Sequence, residues 1–147
     1  MNRWDLKILM NKKKQIKIIS LAIAGSFFLP IFNWHNYEMN GLNFILSSHI
    51  DSYKYFLLLI PGAVFLLFSE MHNKHFLIFN TKILACLPLV SLFFVFFMAY
   101  TNKNASIVFY GGQNIFSMID IGFWAILIFS LLLMIIGLRL KMETRYT

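Results

Sequence analysis

Four stretches of this chain stay apolar for long enough to cross the ~30 Å hydrocarbon layer of a bilayer as helices. They run approximately Ile18–Trp34, Tyr53–Ser69, Ile83–Tyr100 and Ile119–Leu138, and the only charges inside them, Lys54 and Asp120, stand one residue from an end. Each run is continuously apolar rather than alternating. Because unpaired backbone groups are intolerable in lipid, the spanning element is a helix and not a lone strand. The expected fold is an all-α integral membrane protein, a single four-transmembrane-helix bundle over residues 1–147. Composition removes the soluble alternative, since 59% of the residues are hydrophobic, 13% are charged and seventeen are Phe. A globule of this size has too little interior to hide them.

Charge gives the direction of threading. Eleven of the thirteen Lys and Arg residues fall in the amino-terminal segment, in the loop between the second and third runs, or after the fourth run; the other side holds only Lys54 and Lys103. The positive-inside bias therefore predicts a multi-pass cell-membrane protein with both termini cytoplasmic and with 33–52 and 101–118 outside. Trp34, Tyr53, Tyr55, Tyr100 and Trp124 stand near the predicted boundaries, where amphipathic rings favour the headgroup level. The net charge of +7 does not point to nucleic acid, because it is segregated by loop and not interleaved with aromatics on one surface. A secretory signal ending at Ala22-Ile23-Ala24 is the alternative reading of the start. The apolar run continues through Phe27, Phe28, Leu29, Ile31 and Phe32, which favours a retained span.

The spans carry little chemistry. Pro61-Gly62 in the second run and Pro88 in the third mark candidate kinks, with packing the expected role and a gate the alternative. Inside the hydrocarbon the polar side chains are Ser20, Ser26, Ser91, Ser130 and Cys86, which argues against a coupled transporter. The serines are expected to return a hydroxyl to the carbonyl one turn earlier or to bridge helices. Ala22, Gly25 and Ser26 give the first run a small-residue face suited to close contact. Phe93, Phe94, Phe96 and Phe97 cover more than one helical face and are read as lipid and packing contacts. The lone Cys86 reads as a small buried side chain.

No catalytic, cofactor or metal site is expected. The chain has no G-x-S-x-G, no Gly-rich phosphate loop and no H-E-x-x-H. His72 and His75 with Glu70, and His35 and His49 with Glu38 and Asp51, offer ligand types but read as solvated loop residues.

The outer loops are the informative polar segments. Asn40-Gly41, between HNYEM and LNFIL, and Gly111-Gly112, between Ile107–Tyr110 and Gln113–Phe116, have the residues of tight hairpin turns. The two loops are expected to pair into a small extracytoplasmic antiparallel sheet. The competing reading of Leu42–Ile50 is a short interfacial helix. Met39, Leu42, Phe44, Ile45, Val108, Phe109 and Phe116 gather apolar surface there and form the candidate partner surface.

This layout, with Trp34 soon after the first span and Gly41-Leu42 in the longer first loop, resembles the claudin-type four-span architecture. Asn43 stands where that family's second loop Trp would be, and the paired loop cysteines are missing, so its junction-forming role is not implied. The FLPIF segment followed by a Gly-Leu loop is also similar to small prokaryotic four-span proteins, for which no activity is implied. The expected function is a non-enzymatic accessory or interaction subunit, embedded in the lipid bilayer and bound to a membrane-protein partner or to further copies of itself. An oligomeric pore and a membrane-surface lipid-modifying enzyme, working through His35, Glu38, His49, Asp51 and Asp120, are the alternatives.

The topology is directly testable. In a Cys86→Ser background, single cysteines at Asn36 and Lys103 should react with an impermeant maleimide added to intact cells, and one at Lys13 only after permeabilisation; the reverse pattern would overturn the orientation.

Overall fold

The computed structural model describes residues 3–34, 37–48, 52–72, 78–101 and 119–140. Helix α1 (Arg3–Ser26) is followed by a hairpin of β1 (Pro30–Trp34) and β2 (Tyr37–Asn40) and by the short helix α2 (Gly41–Leu46). A 3₁₀ segment (Ser52–Leu58) runs directly into α3 (Leu59–His72), and α4 (Ile78–Thr101) and α5 (Ile121–Leu138) complete the chain. Each long helix has two principal neighbours: α1 packs on α3 and α5, and α4 packs on the same two.

Three helical stretches are long and apolar enough to cross a membrane: Ser52–Met71, Phe79–Thr101 and Ile121–Leu138, with mean hydropathies of 1.6, 2.4 and 2.7. The protein itself buries only 39%, 39% and 33% of them, so most of their apolar surface faces outward. Phe65, Phe79, Phe97 and Trp124 are among the exposed side chains. Surface of this kind is stable against hydrocarbon and would drive aggregation in water, so the chain is a membrane protein.

The first apolar run departs from the expected helix. Helix α1 begins far earlier, on the Lys-rich segment, and stops at Ser26, while Pro30–Trp34 is a strand. Proline lacks the amide hydrogen that would continue the ladder, and its ring drives the preceding residue out of the helical region. The last turn tightens, with the Phe28 and Leu29 amides donating to the Gly25 and Ser26 carbonyls at 3.1 Å each. Proline is then tolerated as the first residue of a strand. The uncharged part of α1, Ile18–Ser26, covers roughly 14 Å of rise.

The prolines in the other helices are accommodated without a break. The winding changes from 3₁₀ to α at Leu59, which leaves Pro61 in the first α-turn, where no intrahelical partner is required of its nitrogen. Gly62 beside it is exposed, and α4 runs on through a buried Pro88. One turn beyond Pro88, the Ser91 hydroxyl donates to the Phe56 carbonyl of the 3₁₀ segment and joins the two elements.

Close packing falls on glycines other than the expected one. A Cβ on Gly25 would meet nothing within 4 Å. A Cβ on Gly122 would lie 2.8 Å from the Leu29 carbonyl oxygen and nearer still to that of Pro30, and one on Gly137 would lie 2.5 Å from the Ala85 Cβ. Backbone atoms cannot yield as a side-chain tip does. Gly122→Ala is therefore expected to destabilise the protein by about 1–3 kcal/mol as overpacking, whereas Gly25→Ala should be neutral or stabilising by up to about 1 kcal/mol. Unfolding in detergent monitored by circular dichroism checks both.

Candidate functional site

The hairpin end of the molecule is a built cap. Strands β1 and β2 pair antiparallel, with Phe32 opposite Met39 and Asn33 opposite Glu38, and the register slips between Pro30 and Phe32. That slip takes Ile31 out of the pairing with β2, as a bulge does. The Ile31 carbonyl accepts instead from the Asp120 amide at 2.9 Å, and Phe32 bridges to Ile119, so the start of α5 is tied to the outer side of β1. The Asp120 carboxylate caps α5 by accepting from the Ile121 amide at 2.6 Å.

The expected Asn40-Gly41 turn is a helix start instead. Asn40 is extended (φ −79°, ψ 174°), ends β2, and its side-chain oxygen accepts from the Asn43 amide at 2.9 Å as the N-cap of α2. Asn serves either turn or cap, and here the helix-compatible spacing of Leu42, Ile45 and Leu46 decides. Gly41 is required for proximity: a Cβ would collide with the Phe27 ring, and its amide donates to the Phe27 carbonyl at 3.0 Å. The competing expectation, a short helix over Leu42–Ile50, is met in part: the helix runs Gly41–Leu46, Ser47 and Ser48 are not helical, and 49–50 lie outside the described residues. The expected strand over LNFIL does not form, and the second loop's Gly111-Gly112 turn lies outside the described residues.

Lys54 holds the other end of α2. It is only 6% exposed, its ammonium donates to the carbonyl of Ser47, the C-cap residue of α2, and it lies 5.2 Å from the centre of the Tyr55 ring. A cation at a helix C-terminus and over an aromatic face is favourably placed on both counts. Sequence reading treated Lys54 only as a charge for orientation. The available signal was its position just inside an apolar run between two tyrosines.

The candidate partner residues divide on this framework. Phe44 and Ile45 are buried, with the Phe44 ring 5.2 Å from that of Phe32, which in turn lies 6.2 Å from Phe123. They hold the cap to the helices and are not free to dock. Met39 is half-buried against the same core. Leu42 and Leu46, one turn apart on α2, are 41% and 78% exposed, and Asn33, Glu38 and Asn43 are exposed polar residues of the same cap. Val108, Phe109 and Phe116 lie outside the described residues.

The other candidates are placed as follows. Ser26 returns its hydroxyl to the Ala22 carbonyl at 2.8 Å, while Ser20 and Ser130 are buried without a hydrogen-bond partner among the described residues. Cys86 is a partly buried free thiol. Among the described residues no three His, Cys, Asp or Glu side chains converge. His35, His49, Asp51 and His75 lie outside them. A second feature escaped sequence reading: a groove of about 290 Å³ between the end of α3 and the start of α4, lined by Leu66, Ser69, Glu70, Asn80, Ile83 and Leu84. Its signal is two i, i+3, i+4 triads facing each other across a short connection.

No protein-family model, curated protein or solved structure matches this chain.

Replacing Lys54 with Met keeps an unbranched apolar stem and removes the ammonium that donates to the Ser47 carbonyl. The expected loss is about 1–3 kcal/mol, with hydrogen exchange accelerated in Gly41–Leu46 before the rest of the molecule. Unchanged exchange there would show that the lysine does not fasten α2.

Proposed function

We propose that the chain is a non-enzymatic four-span bundle, with both termini cytoplasmic, that acts as an accessory subunit by docking its cap on another membrane protein. One observation carries the proposal: α2 is fastened at both ends, by Asn40 with Gly41 and by Lys54, and yet turns Leu42 and Leu46 outward. A pinned apolar pair with polar neighbours loses little conformational entropy on binding and buries area that water penalises.

The fourth span is supported by the way α1 follows α5. The Lys12 ammonium donates to the Arg139 carbonyl at 3.1 Å at one end, and Ile31 meets Asp120 at the other. Because α5 has spanning length, α1 and the strand that continues it run through the same depth. Lys12, Lys13, Lys14 and Lys17, four of the six basic residues on α1, then mark the cytoplasmic side, opposite the cap.

The reading predicts that purification in mild detergent recovers a stoichiometric membrane-protein partner or a defined homo-oligomer. The double variant Leu42→Glu, Leu46→Glu should lose that partner while its stability stays within about 0.5 kcal/mol of the parent, as for other exposed positions. A monomeric parent, or a variant that keeps its partner, would count against docking through the cap.

A further inference from the structure

The groove between α3 and α4 is separate from the cap and independent of its proposed role. Leu66, Ser69 and Glu70 contribute one wall, and Asn80, Ile83 and Leu84 the other. Ser69 and Glu70 come near the end of α3 and Asn80 near the start of α4, with only residues 73–77 between the helices. Helices joined so closely run antiparallel. The three polar side chains therefore share the end of the groove nearest the connection, and the three aliphatic ones line it towards the bilayer centre. A polar end at headgroup level over an apolar channel has the profile of an amphiphile.

The sign of the charge selects the headgroup. Among the described residues of the lining Glu70 supplies the only ionisable side chain, and its Oε2 is enclosed without a hydrogen-bond donor among them. An enclosed carboxylate oxygen without a donor is costly, and its field in a low-dielectric wall draws a cation into the adjoining space. The carboxylate, the Ser69 hydroxyl and the Asn80 carbonyl offer three acceptors, the number an ammonium group uses. A quaternary ammonium has no hydrogen to donate, and an anionic headgroup would be repelled. The volume is close to the lower limit for small-ligand pockets and takes a headgroup with the first part of a chain, not a whole lipid.

We propose that this groove binds a bilayer lipid with a primary ammonium headgroup, held by Glu70, Ser69 and Asn80 and with a chain along Leu66, Ile83 and Leu84.

The test is native mass spectrometry of the full-length protein, released from detergent containing equimolar phosphatidylethanolamine, phosphatidylcholine and phosphatidylglycerol of identical acyl chains. The parent should retain phosphatidylethanolamine over phosphatidylcholine by about tenfold, the ratio expected for charge-assisted hydrogen bonds. Glu70→Gln should abolish that preference. Ile83→Trp, which fills the channel, should lower retention of the lipid while leaving Glu70 in place. If Glu70→Gln fails to fold, Asn80→Leu carries the same expectation. Equal retention of the two zwitterionic lipids, an unchanged preference in both polar variants, or a second protein chain occupying the groove without lipid would overturn the proposal. Loss of the cap's partner in the Leu42, Leu46 variant leaves this readout untouched, so the two proposals fail separately.

Discussion

The amide hydrogen that Pro30 lacks fixes where the first helix stops, and much of the hairpin end follows from that stop. A helix continued to Trp34 would have carried Ile31 and Phe32 on along its own axis. Ended at Ser26, the chain turns within three residues and sets its next segment against the start of α5. The carbonyls of Leu29 and Pro30 then lie against α5 so closely that only Gly122 fits beneath them. The bulged Ile31 carbonyl takes the Asp120 amide, and the Phe32 ring meets both Phe44 and Phe123. Backbone groups freed by the proline are thus taken up by α5 and β2, as is required wherever water is scarce.

Much of the architecture was legible because lipid imposes long apolar runs that composition cannot disguise. The second, third and fourth runs appear as helices with boundaries within a few residues of those expected. The first was misjudged for a local reason: counting apolar residues ignores that Pro30 sits inside the run, and Ile, Phe and Trp are as acceptable in a strand as in a span. Asn40-Gly41 failed in the opposite way. Both residues suit a tight turn, but Asn is equally a helix cap, and the collision between a Cβ at position 41 and Phe27 is a tertiary fact invisible in the local sequence.

The candidate sites were legible in chemistry but not in partnership. An exposed pair on α2 and a buried pair beside it differ only in which side of a six-residue helix meets Phe32. The same applies to the polar residues: Ser26 behaves as a single helix would have it, whereas Ser91 reaches another element, a choice set by the 3₁₀ segment opposite it. Glu70 and Asn80 lie ten positions apart, and only the closeness of two antiparallel helices makes them neighbours.

The 3₁₀ winding of Ser52–Leu58 also sets how far the apolar stretch Ser52–Met71 reaches. Each residue advances about 2.0 Å in this form against 1.5 Å in the α form. The twenty residues from Ser52 to Met71 therefore extend roughly 33 Å, about 3 Å beyond what uniform α winding would give. The eighteen residues of α5 rise about 27 Å and the twenty-three from Phe79 to Thr101 about 35 Å. A layer matched to α5 obliges α4 to lean or to protrude, and the more tightly wound turns let a shorter polypeptide keep pace with it.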